Sequence, residues 1–234
     1  MKATEFEFRH RSLINLIHVW ISFQAYSFDR VNAVWAFVPW NTPRGYFLAR
    51  MIFGFAAILI ALAASIRTWA AAYLRSDVVH DSDVHTDTVV ADGPYRYLRN
   101  PLYLGTLLLS VGLAFLASRM GAVILVGGAT LRILRLIGRE EADLEKRQGG
   151  IYTEFCRRVP RLLPSLRARV PGSGLAPQWT QAFRGEAPMW GFFIMMIAFA
   201  VTLNDDVAWS LGGATLSVWL FQRITARLRK GSRA

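Results

Sequence analysis

Cysteine is almost missing from this chain. Cys156 is the single one in 234 residues, which excludes an internal disulfide framework and any multi-cysteine metal site. It has no histidine partner near it in sequence and reads as structural. Histidine is nearly as scarce: His10, His18, His80 and His85 are too few for a histidine-rich metal centre. Charge is thin, at 18% of residues, against about a quarter in a soluble domain. Acidic groups are the rarer sign, 16 against 27 basic ones, for a net charge of +11. No GxGxxG, P-loop, HExxH or GxSxG pattern occurs, so the usual soluble nucleotide-binding fold has no support. No internal repeat or low-complexity tract is present.

What the chain does have is apolar surface. Hydrophobic residues make up 53%, and the mean hydropathy is +0.29. Disorder is excluded, and the balance does not suit an ordinary soluble domain. In a membrane protein the basic excess reflects loops facing anionic lipid, so no nucleic-acid partner is expected.

Several apolar stretches are long enough for a bilayer, which takes about 20 helical residues. Tyr46 to Leu74 is the clearest. Arg50 can snorkel near one of its ends, and Arg67, Trp69 and Tyr73 suit an interface near the other. Pro101 to Leu116 and Met120 to Ile137 flank Ser118-Arg119 and predict a tight helical hairpin. Pro188 to Leu203 and Val207 to Phe221 flank Asn204-Asp205-Asp206 and predict another. The first segment, Leu13 to Trp40, holds Asn15, His18, Gln24, Asp29, Arg30 and Asn32. It fits either one long tilted span or an interfacial helix with a re-entry, retained rather than cleaved. The expected fold is an all-α integral membrane protein with about six transmembrane helices, five if the first segment only lies on the surface. Lys and Arg concentrate in Arg139–Glu186 and in the tail after Phe221, which places those segments and both termini in the cytoplasm. Three parts follow: N-terminal membrane helices (1–74), a core holding the 101–137 hairpin (75–170), and a C-terminal linker and helix pair (171–234). The linker signal is Pro171-Gly172-Ser173-Gly174 through Pro177. The last pair reads as packing and anchorage.

Two polar stretches, His80–Tyr103 and Leu131–Pro164, flank the central hairpin. A tight hairpin returns both to one membrane face, which builds a cytoplasm-facing site from loops and helix ends. Thr88-Val89-Val90 is a short β-prone piece, and Asp92-Gly93-Pro94 is a turn. Tyr95, Tyr97 and Tyr103 offer flat faces with polar tips. Asn100-Pro101 starts a helix, where Asn100 serves as a plain cap or the free amides hold an anionic group. Arg132, Arg135 and Arg139 share one face of an otherwise apolar helix, and arginine inside such a helix marks a site or a pathway. Glu140 and Glu141 follow at the mouth of the inferred cleft. Glu145, Lys146, Arg147 and the Glu154/Arg158 pair read as surface electrostatics.

At these residues the chain resembles integral-membrane methyltransferases, the isoprenylcysteine carboxyl methyltransferases and phospholipid methyltransferases. Gly93-Pro94-Tyr95-Arg96-Tyr97-Leu98-Arg99-Asn100-Pro101-Leu102-Tyr103-Leu104-Gly105 resembles their GPY-x-x-x-RHP-x-Y-x-G motif. Arg139-Glu140-Glu141, Gly150-Ile151-Tyr152 and Arg158-Val159-Pro160 to Pro164 resemble their REE…G-x-x-Y…VP…P motif. The resemblance covers residues 75–166. It implies S-adenosylmethionine as cofactor, lined by Asp87, Thr88, Val89, Val90, Tyr95, Asn100, Pro101, Leu102, Tyr103 and Glu140, with His80 as a further contact. It implies that Arg135 or Arg139 handles the acceptor. The usual histidine of RHP is Asn100 here, which argues against an obligatory proton role at that position. An already nucleophilic carboxylate acceptor needs only an arginine to place it. An amine needs a base, for which Glu140 or Glu141 is the candidate. The arginines lean toward a carboxylate on a lipid-like acceptor reached from the bilayer, making Arg135, Arg139 and Glu141 the expected catalytic set. A phosphatidylethanolamine-type N-methyltransferase is the alternative. An NADPH-dependent sterol-reductase-like enzyme and a non-catalytic membrane relative come from other classes. A bacterial inner membrane is the expected location, and no metal is expected.

Overall fold

The structure is a computed structural model that describes residues 2–39, 41–74 and 91–231. Among these residues the chain is mostly helical, with no strand and one isolated bridge, Asn32 to Ser118. The helices are α1 (Glu5–Arg9), α2 (Arg11–Gln24), α3 (Pro43–Tyr73), α4 (Pro101–Ala114), α5 (Arg119–Gln148), α6 (Gly150–Arg158), α7 (Trp179–Thr202) and α8 (Asp205–Gly231). Short 3-10 turns cover Ala25–Ser27 and Gly93–Arg96. Three helices, α3, α5 and α7, are long and apolar enough to cross a membrane; α4 is apolar but shorter.

Local chemistry sets the helix ends. Thr42 caps α3 by accepting the Gly45 amide at 3.0 Å, and Pro43 occupies the first turn, where its missing N–H has no cost. Ser118 caps α5 in the same way through Gly121. The first segment is neither of the two forms expected for it. α2 ends at Gln24, and the chain then folds over the α4–α5 tip in irregular conformation. The Asn32 amide donates to the carbonyls of Phe115 and Ala117 at 3.1 and 3.2 Å. Asp29 accepts from the Arg119 guanidinium at 3.0 Å and from the Met120 amide at 3.0 Å. The polar residues that spoiled this segment as a span are the ones that tie down the tip.

α7 begins at Trp179, earlier than the expected Pro188, which therefore lies inside the helix. An internal proline leaves the carbonyl four residues back without its helical donor. That carbonyl belongs to Arg184, and the Gln222 side chain of α8 donates to it at 2.8 Å.

α3 is the centre of the bundle, packed on α4 and α7. Its buried face repeats small and large residues: Ala49, Phe53, Ala56, Ile60, Ala63. Phe53 meets Phe199 of α7 edge-on with ring centres 4.8 Å apart. With lipid as apolar as leucine, helices associate through close packing, which small residues permit. Gly112 of α4 is such a residue: a Cβ there would sit 2.4 Å from Ile60 Cγ1. Exposed Phe47, Ile58, Val123, Val201 and Trp209 leave an apolar outer surface. α7 packs into this same core through Met195, Met196, Phe199 and Ala200, and α8 through Ala208 and Leu211.

Gly112→Val is expected to destabilise the bundle by about 1–3 kcal/mol through overpacking. Gly127→Ala, at a helical glycine with open space around it, is expected to keep stability or raise it by up to about 1 kcal/mol. Thermal unfolding in detergent compares the two.

Candidate active site

The α4–α5 hairpin brings the two sequence motifs to one end of the bundle. The chain after α6 runs back along the Asp92–Asn100 segment and bonds to it repeatedly. The Arg99 amide donates to the Pro160 carbonyl at 2.9 Å, the Ser165 amide to Tyr97 at 3.0 Å, and the Arg169 amide to Arg96 at 2.9 Å. The Arg96 guanidinium reaches the Val170 carbonyl at 3.0 Å. Buried Asp92 accepts from the Ser173 amide at 2.8 Å and from its hydroxyl. A small second core of Tyr152, Phe155 and Val159 with Ala91, Cys156 and Val170 lies behind this layer. Gly93 turns the chain at φ +54°, and its α-carbon lies so close to the Tyr73 ring that a Cβ would come within 2.4 Å. No other residue fits that turn without strain.

Glu141 fastens the two motifs. Its carboxylate pairs with Arg99 at 2.8 Å and with Arg161 at 2.8 Å. The Asn100 side-chain amide points at Glu141 at 3.4 Å and donates to the Arg161 carbonyl at 3.0 Å. Arg99 also reaches Cys156 Sγ at 2.9 Å. Asn100 occupies the cap position of α4, yet its side chain makes no capping bond. It joins the motifs instead, and the first-turn amides of α4 are left without a side-chain cap.

Glu140 faces another way. Its carboxyl lies within electrostatic reach of the Tyr103 hydroxyl and of Arg11. No Lys or Arg among the described residues lies within ion-pair distance of Glu140. Tyr95 is within electrostatic reach of Glu140, Arg67 and Glu186. Burial pushes the Tyr95 phenol well above its ordinary pKa, so it stays neutral at any physiological pH.

The arginines of α5 end up in different places. Arg135 pairs with Glu7 at 2.8 Å, and Arg139 pairs with Glu5 at 2.8 Å. α1 thus lies across the end of α5, held further by the Ala3 amide on the Arg135 carbonyl at 3.0 Å. Thr4 and Glu7 close a reciprocal capping box that shapes α1. Arg132 lies deeper, and its Nε is buried without an acceptor among the described residues. Its field acts on His18 of α2, whose other ring nitrogen meets the Ile124 carbonyl at 3.0 Å.

The structure therefore brings Tyr95, Asn100, Pro101, Leu102, Tyr103, Glu140 and Glu141 to one end, with Arg135 and Arg139 beside them under α1. His80, Asp87, Thr88, Val89 and Val90, and with them the β-prone piece, lie outside the described residues. Sequence reasoning missed Arg99 and Arg161 as partners of Glu141, and Glu5 and Glu7 as partners of the arginines. The T-x-x-E spacing of Thr4 and Glu7 was the available signal for α1.

Hairpin, paired motifs and apolar helices together define a class: an all-α membrane protein whose two motifs are brought to one end of the bundle. Residues 49–149, just under half of the chain, match the family model described as PEMT, phospholipid methyltransferase. The match meets the resemblance drawn from the two motifs and takes in the first motif, the hairpin and the Glu140-Glu141 pair. No curated protein and no solved structure matched.

Two outcomes follow from this geometry. Glu141→Ala leaves two arginines without their carboxylate and is expected to cost about 3 kcal/mol. It should also open residues 159–173 to limited proteolysis. Separately, the Arg135 hydrogen bond and the Thr4 amide hold the Glu7 carboxyl below the usual range. A depressed folded pKa stabilises docking of α1 above the unfolded value, about 4, and the stabilisation is lost as pH falls through the folded one. A spin label at Lys2→Cys, in a Cys156→Ser background, should become mobile on acidification. With Glu7→Gln the label should be mobile throughout, with no pH step.

Proposed function

We propose that this chain is an S-adenosylmethionine-dependent methyltransferase acting at the cytoplasmic face of a bacterial inner membrane on the amine head group of a phospholipid-type acceptor. The observation that carries this reading is the contrast between Glu140 and the arginines. Among the described residues Glu140 has no ion pair and lies within electrostatic reach of Tyr103, whereas Arg135 and Arg139 are already paired with Glu7 and Glu5. A carboxylate without a cation of its own suits an ammonium head group better than an anionic one. The family match points the same way.

The chemistry of the donor set fits the cofactor. S-adenosylmethionine carries a cationic sulfonium, an amino-acid end and a planar base. Glu140 offers negative charge, and the uncapped amides of α4 and the buried Nε of Arg99, which lacks an acceptor among the described residues, offer donors. Tyr95 and Tyr103 offer ring faces. When bound, the cofactor supplies an activated methyl group. The chain's own residues do the rest. Glu140 takes the proton from the head-group ammonium, which frees the nitrogen lone pair to form the new N–C bond. Tyr103 holds Glu140 in place, and the helix ends align the acceptor and exclude water. Glu141 serves by fastening the motifs rather than by touching the acceptor.

A carboxylate acceptor is the second reading. It is supported by the Nε atoms of Arg135 and Arg139, which are buried and have no hydrogen-bond acceptor among the described residues, with Asp143 3.7 Å from Arg139 Nε. In that reading the two arginines place the acceptor once α1 lifts.

Purified protein in nanodiscs, given methyl-labelled S-adenosylmethionine, separates these readings. Phosphatidylethanolamine, a prenylated cysteine acid and a small thiol are supplied in parallel. Label is expected in the phospholipid amine, falling about 100-fold or more with Glu140→Gln. Label in a base-labile ester, unaffected by Glu140→Gln, would favour the carboxylate reading. Binding and transfer both absent in folded protein would overturn the proposal.

A further inference from the structure

Arg67 and Glu186 form an ion pair inside the bundle that neither motif includes. Arg67 Nε and Nη2 meet the two Glu186 oxygens at 2.7 and 2.9 Å, with both side chains largely buried. A buried pair is a poor device for stability alone, because apolar side chains of the same volume do as well or better. Its third arm explains more. Arg67 Nη1 donates to the Leu102 carbonyl at 3.1 Å and to the Thr106 hydroxyl at 2.8 Å. Both acceptors are in the first turns of α4, immediately after Asn100.

The motif glycine at the end of this turn belongs to the same device. A Cβ on Gly105 would lie 2.4 Å from Arg67 Cγ, so the glycine makes room for the arginine stem. Around the pair, α7 is fixed in register by the Trp190 indole on Thr68 at 3.1 Å and by Gln222 on the Arg184 carbonyl at 2.8 Å. At the opposite end of the same two helices the contact is of another kind: Arg50 Nε reaches the Val201 carbonyl at 3.3 Å, with no ion pair among the described residues. The elaborate end is the one beside the site. Tyr95 is within electrostatic reach of Arg67, Glu186 and Glu140.

We propose that Arg67 and Glu186 are positioning residues that set the first turn of α4 for cofactor binding, so that the C-terminal helix pair is part of the catalytic unit and not only an anchor. Glu186 fixes the guanidinium, and the guanidinium fixes Leu102 and Thr106. Glu186 lies outside the segment matched by the family model, residues 49–149, while Arg67 lies within it. The inference rests on the reading of α4 as part of a S-adenosylmethionine site.

The test uses the full chain in detergent and reads S-adenosylmethionine affinity, thermal stability and acceptor KM. Glu186→Gln and Arg67→Lys, which lacks the planar fork, are expected to weaken cofactor binding at least 10-fold while acceptor KM changes less than 2-fold. Thr106→Val, a milder change on α4 itself, is expected to weaken it about 3-fold. The exchange Arg67→Glu with Glu186→Arg restores an α3–α7 ion pair but gives Leu102 no donor. It should therefore recover thermal stability without recovering cofactor affinity. Arg50→Gln is expected to change neither. Should Glu186→Gln not fold, Arg67→Lys and Thr106→Val carry the comparison. Cofactor affinity within 2-fold of the unsubstituted protein in the folded variants would overturn the inference, as would an exchange variant that recovers affinity fully. Absence of binding to the unsubstituted protein would instead overturn the functional reading beneath it.

Discussion

One carboxylate holds the polar end of this bundle together. Glu141 takes Arg99 from the segment that opens α4 and Arg161 from the chain that follows α6. Those two arginines are far apart in sequence, and only a hairpin whose ends return to the same place can present them to one acceptor. Neighbouring residues on a helix do not share a face. With Glu141 committed to the arginines, Glu140 is turned toward Tyr103. The division of labour between the two adjacent acids follows from helix geometry: one fastens, and the other is free to do chemistry.

The same economy governs several of the other acidic residues. Arginine within an apolar helix needs a partner, and acids are the scarce sign here. Glu186 is used on Arg67, Glu7 on Arg135 and Glu5 on Arg139. Asp29 closes the opposite end on Arg119. Each pair joins elements distant in sequence, so the few negative charges act as long-range ties.

Much of the architecture was legible because apolar runs and their breaks are strong signals. The α3 span, the α4–α5 hairpin at Ser118-Arg119 and the α7–α8 turn at Asn204–Asp206 all follow from them. The first segment was not legible, since Asn32 and Asp29 read as defects in a span until the α4–α5 tip they bond is in place. The start of α7 was misread because Pro188 normally opens a helix; Gln222, on another helix, supplies the missing donor and lets the helix run through it. At the candidate site, residue types and motif order pointed to residues that the fold does bring to one end. What a sequence does not express is partnership: nothing local says that Arg135 faces Glu7, or that Arg67 spans from Glu186 to Leu102.

The central claim is that the two motifs enclose one cofactor site. Photocrosslinking of radiolabelled S-adenosylmethionine to the purified protein, followed by peptide mapping, tests it most directly. The account predicts label in the Tyr95–Tyr103 peptide and in the peptide holding Glu140, competed by unlabelled cofactor. Competed label confined to α8 or to the α4–α5 tip, or none in folded protein, would contradict it.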